Sequence, residues 1–257
     1  MSYLGVSQSL TEKHWVAPDH SVDLAAQALM QNTGLPLAIC SVLARLGIRA
    51  DAVEGYLDPL IKNLLPDPRR LLDMPKAAER ILRAVSNKNR IAIFADYDVD
   101  GASSAALLLT WLKAMGQTAT LYVPDRIDEG YGPNEPAMRQ LAKTHDLIIC
   151  VDCGTLSHGP IAVAKPTEVI VLDHHLAAET LPDCVAVVNP NGQDDPGALS
   201  HLCAAAVVFV CLVECGRLLR QQGKEAPDLI SSLDLVALAT VADVAPLIGV
   251  NRAFVHK

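Results

Sequence analysis

The segment Arg90-Ile91-Ala92-Ile93-Phe94-Ala95-Asp96-Tyr97-Asp98-Val99-Asp100-Gly101 joins an unbroken apolar run to an acid-rich turn. A short apolar run without polar alternation is the pattern of a strand covered on both faces, as in parallel sheets. Residues 91–95 are expected to form such a strand. Gly101 to Met115 follows with helical periodicity and stops at Gly116, which makes a strand-loop-helix unit.

Downstream the alternation repeats. Strands are predicted at Ala119 to Val123, Leu147 to Val151, Val169 to Leu172 and Val185 to Val188, with a helix at Glu135 to Lys143 and a short helical turn at Ile161 to Ala164. After the turn-rich Asn189-Pro190-Asn191-Gly192-Gln193-Asp194-Asp195-Pro196-Gly197, two helical stretches follow, about Leu202 to Gln222 and Asp228 to Ala242. This order predicts an α/β fold, a mainly parallel sheet flanked by helices. Upstream, Leu24, Leu29, Leu37, Ile39, Val42, Leu43 and Leu46 recur at helical spacing, broken at Gly34-Leu35-Pro36 and around Leu65 to Pro68. Residues 1–88 are thus expected to be an N-terminal α-helical extension before a domain over 89–257.

Composition narrows the class. Of 257 residues 51% are apolar and 19% charged, which excludes a disordered or fibrous chain. The 29 acids outweigh 21 bases by eight; this excludes a generally basic surface that coats nucleic acid and leaves room for a local basic groove. Lys113 and Arg220 interrupt the best apolar stretches, so none reaches the ~18 residues of a membrane helix. The first eleven residues lack a cationic start followed by an apolar run, and the expected compartment is the cytoplasm. Seven cysteines, an odd number, lie in apolar settings such as Cys40, Cys203 and Cys211 and read as reduced thiols. Cys150 and Cys153 lack the second pair that a structural zinc site needs.

The acids fall at the C-terminal ends of the predicted strands: Asp96, Asp98 and Asp100 after the first, Asp152 after Val151, and Asp173, His174 and His175 after Leu172. In an open parallel sheet those ends share one crevice. Carboxylates gathered there repel one another unless they are protonated or bridged by a cation. Mg²⁺ or Mn²⁺ suits such a set with one or two imidazoles, and two ions about 3.5–4 Å apart match in-line attack on a phosphodiester. For Asp98 or Asp100 singly, the alternative is a helix N-cap.

Asp96-Tyr97-Asp98-Val99-Asp100-Gly101, Val151-Asp152-Cys153-Gly154, Asp173-His174-His175 and Ala239-Thr240-Val241-Ala242-Asp243-Val244-Ala245-Pro246-Leu247, in that order, resemble the four motifs of the DHH phosphoesterase superfamily. With Tyr122-Val123-Pro124-Asp125-Arg126 and Glu129-Gly130-Tyr131-Gly132-Pro133-Asn134 the set is similar to the RecJ family of single-stranded-DNA-specific 5′-to-3′ exonucleases. The resemblance implies a DHH catalytic domain over 89–257 that acts in DNA repair and recombination. It also implies one or two Mn²⁺ or Mg²⁺ ions held by Asp98, Asp100, Asp152, Asp243 and His174, with Asp96 and Asp173 as ligands or neighbours of ligands. His175 would face the scissile phosphate or leaving group, which makes His175, His174 and Asp173 the catalytic candidates. Arg126, Tyr131 and Asn134 are substrate-binding candidates. For Arg126 the alternative is an ion pair with Asp125, Asp128 or Glu129; for Tyr131 it is filling the underside of its loop. Single-stranded DNA is the implied substrate, with a single-stranded-DNA-binding protein and a recombination helicase as partners.

Several positions depart from the family pattern. Phe94 stands where many members have a histidine ligand, Ala206 where glycine is usual, and Gly192 where a basic residue is typical. The chain stops at Lys257, before the second, DHH-associated domain and the OB-fold, which predicts slow and poorly processive cutting. Two other readings stay open: a hydrolase of short oligonucleotides or nucleotide phosphates, and a non-catalytic degenerate or truncated copy.

Overall fold

The computed structural model describes residues 2–17 and 19–257, so Met1 and Pro18 of the predicted helical extension lie outside the described residues. The chain divides into two compact units, one ending at Leu60 and one spanning Ile61–Lys257. The first holds α1 (His20–Thr33), α2 (Leu37–Arg45) and α3 (Val53–Leu57). Asp19 caps α1 by accepting the Ser21 N–H at 2.8 Å, and Ala26, Leu29, Cys40, Leu43 and Val53 form a small core of its own.

The second unit runs α4 (Ile61–Leu64), α5 (Met74–Ser86), β1 (Ile91–Ala95), α6 (Val99–Ala114), β2 (Ala119–Tyr122), α7 (Glu135–Thr144), β3 (Leu147–Val151), α8 (His158–Ala162), β4 (Glu168–Leu172), β5 (Ala186–Val188), α9 (Ala204–Gln221), α10 (Leu233–Ala242) and α11 (Gly249–His256). All four strand pairings are parallel, in the order β2-β1-β3-β4-β5. The predicted parallel α/β architecture is therefore present. Among the described residues no helix is long and apolar enough to cross a membrane.

Alternate strand residues enter opposite cores, as expected of a sheet covered on both faces. Ile91, Ile93, Leu147, Ile149, Ile170 and Leu172 pack with residues of α5, α6, α9, α10 and α11. Ala92, Phe94, Ile148, Cys150, Val169 and Val171 pack with α7 and α8. The unit that holds the sheet begins at Ile61 rather than at residue 89, because the apolar face of α5 (Met74, Ala77, Ala78, Ile81) belongs to the sheet's core. The buried Arg80 adds an ion pair from α5 to Glu168 at the start of β4, 2.6 Å long. Sequence periodicity shows that a helix has an apolar face; it carries no information about which core receives that face. Likewise α11, beyond the last predicted element, closes the same core through Val250 and Phe254.

Strand register places the site. Ala95, Val151, Leu172 and Val188 are consecutive partners across the sheet, and each strand's next residue stays paired: Asp96 N–H to Val151 O (3.3 Å), Asp152 N–H to Leu172 O (3.0 Å) and Asp173 N–H to Val188 O (3.1 Å). Asp96, Asp152, Asp173 and Asn189 therefore stand side by side at one sheet edge. α6 starts at Val99, two residues before its predicted start, because the Asp98 carboxylate caps it by accepting the Gly101 N–H at 3.0 Å. The turn is tight: a Cβ on Gly101 would sit 2.8 Å from the Asp96 carbonyl carbon and nearer still to its oxygen. Gly101→Ala is expected to cost about 1–3 kcal/mol of stability, as overpacking does in a close-packed site, read from the urea midpoint. An unchanged midpoint would show that the backbone there yields freely.

Candidate metal centre

Asp152, at the end of β3, adopts φ 60°, in the left-handed region that non-glycine residues visit at a cost. Its side chain is 1% exposed, and neither carboxylate oxygen has a hydrogen-bond partner. Burial first, and then the charges of Asp100 and Asp98, push its carboxyl up to about 10. Asp96 is also buried, with Oδ1 unpartnered, and desolvation raises its carboxyl above the ordinary range. Asp100 is held by the N-terminus of α9: Oδ2 accepts the Ala204 N–H at 2.6 Å and Oδ1 the Ala205 N–H at 2.7 Å. Desolvation raises its carboxyl too, against the pull of those two amides. A helix N-terminus suits a carboxylate for the same reason that it suits phosphate.

His174 stands between these acids. Its Nε2 lies 3.4 Å from Asp152 Oδ1 and 3.7 Å from Asp100 Oδ2, and its Nδ1 lies 3.9 Å from Asp243 Oδ2. Three overlapping sets have donor atoms within 4.8 Å of one another: Asp152, His174 and His175; Asp100, His174 and Asp243; Asp96, Asp98 and Asp152. Every acid expected to meet a cation, Asp173 apart, falls in one of them. Asp98 caps α6, and its carboxylate also belongs to one of these donor sets.

Asp173 has a different task. Its Oδ1 accepts the His174 N–H (2.7 Å), the His175 N–H (3.3 Å) and His175 Nδ1–H (2.8 Å), while Oδ2 accepts the Thr155 N–H (3.1 Å). Burial alone would raise this carboxyl; the hydrogen bonds from His175 and Thr155 outweigh it and hold the group at about 2. The same bond to Asp173 raises the pKa of His175, the charged imidazole being favoured beside a carboxylate. His175 remains exposed while it is anchored. Tyr131 Oη lies 3.1 Å from both His175 Nδ1 and the Asp152 carbonyl oxygen, so its hydroxyl braces the histidine and its ring stays open to solvent.

Arg126 does not pair with the acids beside it. Asp125 Oδ1 accepts the N–H groups of Ile127 and Asp128 at 2.8 and 3.0 Å, and Glu129 accepts the Tyr122 hydroxyl (2.5 Å), the Asp125 N–H (2.9 Å) and Asn134 Nδ2–H (3.0 Å). The guanidinium instead lies over the ring of Tyr97, 5.3 Å from its centroid, between Asp96 and Asp98 in sequence. Asn134 is engaged at both ends of its amide, since its Oδ1 also caps α7 through the Ala137 N–H at 2.9 Å. Phe94 fills the core against Tyr122, ring centroids 5.2 Å apart. Tyr97, Thr155, Asn189 and the α9 amides were not among the predicted site residues. Of these, Asn189 carried a readable signal, because it follows a strand in the same way as the acids do.

Comparison with known proteins assigns the family. A family model described as the DHH family, N-terminal domain, matches residues 90–240. The single-stranded-DNA-specific exonuclease RecJ of Dickeya dadantii is 37% identical over 234 residues, 87% of this chain and 40% of the relative. The enzyme of the same name from Escherichia coli is 36% identical over 244 residues, 91% of this chain and 40% of the relative. The crystal structure of RecJ in complex with Mn²⁺ from Thermus thermophilus superposes with a TM-score of 0.72 at 28% identity, covering 93% of this chain and 33% of that one. The chain thus spans about 40% of the length of those curated relatives. Since the matched residues run from the first sheet strand to α10 and include the clustered acids of the first three motifs, the chain belongs to the DHH family.

Proposed function

We propose that this chain carries the catalytic centre of a metal-dependent, single-stranded-DNA-specific 5′-to-3′ exonuclease of the RecJ type, acting in DNA repair and recombination in the cytoplasm beside a single-stranded-DNA-binding protein and a recombination helicase. One observation carries the reading most. Asp96 Oδ1, both oxygens of Asp152 and His174 Nε2 are buried without hydrogen-bond partners, and Asp152 belongs both to the donor set of Asp96 and to that of His174. Buried polar atoms are normally satisfied, and one or two divalent cations bound against Asp152 would supply the missing partners. Oxygen donors with an imidazole fit Mn²⁺ or Mg²⁺.

Asp96, Asp98, Asp100, Asp152, His174 and Asp243 would hold the metal. A divalent cation bound there supplies a Lewis acid that offsets charge on the phosphoryl oxygens and lowers the pKa of a nearby water. The α9 amides favour the carboxylate form of Asp100 against its desolvation and aim it. His175, whose charged form Asp173 favours and which is open to solvent, would hand its proton to the departing 3′-oxygen as the P–O3′ bond breaks, while the attacking water releases a proton to solvent as its oxygen bonds to phosphorus. Arg126, held over Tyr97, receives a phosphate through its planar fork.

The test is degradation of a 5′-phosphorylated single strand of about 30 nucleotides, longer than the roughly 4–16 nucleotides that one single-strand-binding module contacts, with and without Mn²⁺, against the same strand in a duplex. Mn²⁺-dependent release of nucleotides from the 5′ end of the single strand supports the reading, and a chain that binds Mn²⁺ yet cuts neither substrate refutes it. Arg126→Ala is expected to raise KM for the strand about tenfold with kcat within threefold, and to reduce the salt dependence of binding by about one phosphate contact. A fall in kcat at unchanged KM would assign Arg126 to the chemical step.

A further inference from the structure

We propose that Asn189 and Asn191 are positioning residues for the two histidines of the Asp173-His174-His175 motif, an inference that rests on the reading above. Asn189 follows β5 as Asp173 follows β4, and Leu172 and Val188 are register partners. Asn189 is 4% exposed, and its amide is fully employed. Nδ2 donates to the Thr155 hydroxyl at 2.9 Å and to the His175 carbonyl at 2.8 Å, while Oδ1 accepts the Asn191 N–H at 2.8 Å. Asn191 Nδ2 in turn donates to the His174 carbonyl. Pro190 between them has a restricted φ, which limits how the two amides can separate.

The contacts close a ring. Thr155, which receives Asn189, donates its N–H to Asp173; Asp173 binds the His175 ring; and the His175 carbonyl returns to Asn189. His174 and His175 lie in a segment without helix or strand, so no regular ladder fixes their backbone. The two amides supply that restraint by holding both carbonyls. Only a side chain that donates and accepts at once can serve at 189, which explains amides here while the neighbouring strand ends carry acids. Groups that orient a metal's direct ligands typically alter affinity 10–100-fold when removed, and small misplacements of reacting groups are costly to rate.

The experiment compares Asn191→Ala with Val188→Ala. Val188 is a fully buried residue of β5, and its truncation weakens the same strand without removing a hydrogen bond to either histidine. Melting temperature without metal, Mn²⁺ affinity by calorimetry, and kcat and KM on the 5′-phosphorylated strand are measured for each. Asn191→Ala is expected to weaken Mn²⁺ binding about tenfold and lower kcat 10–100-fold at little-changed KM. Val188→Ala is expected to lower the melting temperature while Mn²⁺ affinity and kcat, measured well below melting, stay at the wild-type level. Wild-type Mn²⁺ affinity in folded Asn191→Ala, or equal losses in both variants, would overturn the inference. If Asn191→Ala does not fold, Asn191→Asp, of the same shape without amide hydrogens, gives the same reading. Should the wild-type chain bind Mn²⁺ without cutting DNA, the nuclease reading fails by itself, and the Mn²⁺ affinities still decide the role of the asparagines.

Discussion

Asp152→Asn will melt higher than the wild-type chain in the absence of divalent metal at pH 8, and will lose both the stabilisation by Mn²⁺ and the proposed nuclease activity. The wild-type carboxylate is buried with neither oxygen hydrogen-bonded and with Asp98 and Asp100 close by. An amide of the same shape is neutral at every pH, so folding at pH 8 no longer has to take up a proton at this buried position, and its N–H groups can turn towards the neighbouring carboxylates. Asparagine also tolerates the left-handed backbone at this position, so the substitution introduces no new strain, as alanine would. Relieving an unsatisfied buried group contributes about 1–3 kcal/mol, or roughly 2–10 °C for a domain of this size.

The pH dependence has a definite sign. Because the folded carboxyl is raised from 3.8 to about 10, the favourable contribution of protonated Asp152 is fully present below pH 4 and is lost progressively as pH rises towards 10. The melting temperatures of the two proteins should therefore meet near pH 4 and separate steadily above it. Mn²⁺ at a hundredfold excess over its Kd adds about 2.7 kcal/mol to a chain with one intact site, and this gain should be confined to the wild type. A variant that melts no higher at pH 8, or that gains as much from Mn²⁺, would show that Asp152 is not the focus of the cation site.

His175→Gln should lower kcat by about 10²–10⁴, the usual contribution of a positioned proton donor, with Mn²⁺ affinity and KM within a few-fold of wild type. Asp173 orients the His175 ring and favours its charged form, and under the proposed function that exposed imidazole would protonate the leaving alkoxide. A substrate whose scissile 3′-oxygen is replaced by sulfur departs as a thiolate that needs no proton, so it should restore most of the lost rate in the variant. Since His175 also belongs to one donor set with Asp152 and His174, calorimetry provides the contrary outcome. A matching collapse of Mn²⁺ affinity, with no rescue by the sulfur substrate, would make His175 a metal ligand instead.

Much of the sheet is legible in the sequence because its signals are local. Residues 91–95 and 147–151 are apolar without alternation, and in the structure each sends successive side chains into two different cores. The strand-end acids were equally visible, since a charged residue directly after such a run has no apolar role. The function of Asp173 was less so: a carboxylate that binds a cation and one that orients an imidazole are the same letter, and only its four hydrogen bonds separate the two. Asn189 and Asn191 looked like ordinary turn residues, because asparagine is common in turns for reasons of its own. The membership of α5 was hidden for a similar reason, its partners lying in strands that come later in the chain.

The letters alone specified that the apolar strand runs are buried and where charge follows a strand, because hydrophobic patterning and strand-end chemistry act over a few neighbouring positions. They did not specify that Asp96, Asp152, Asp173 and Asn189 would form one row, or that the amides of α9 would meet Asp100. Those contacts join parts of the chain separated by up to 105 residues. They depend on strand order, register and helix packing, which the whole core sets cooperatively and no local segment encodes.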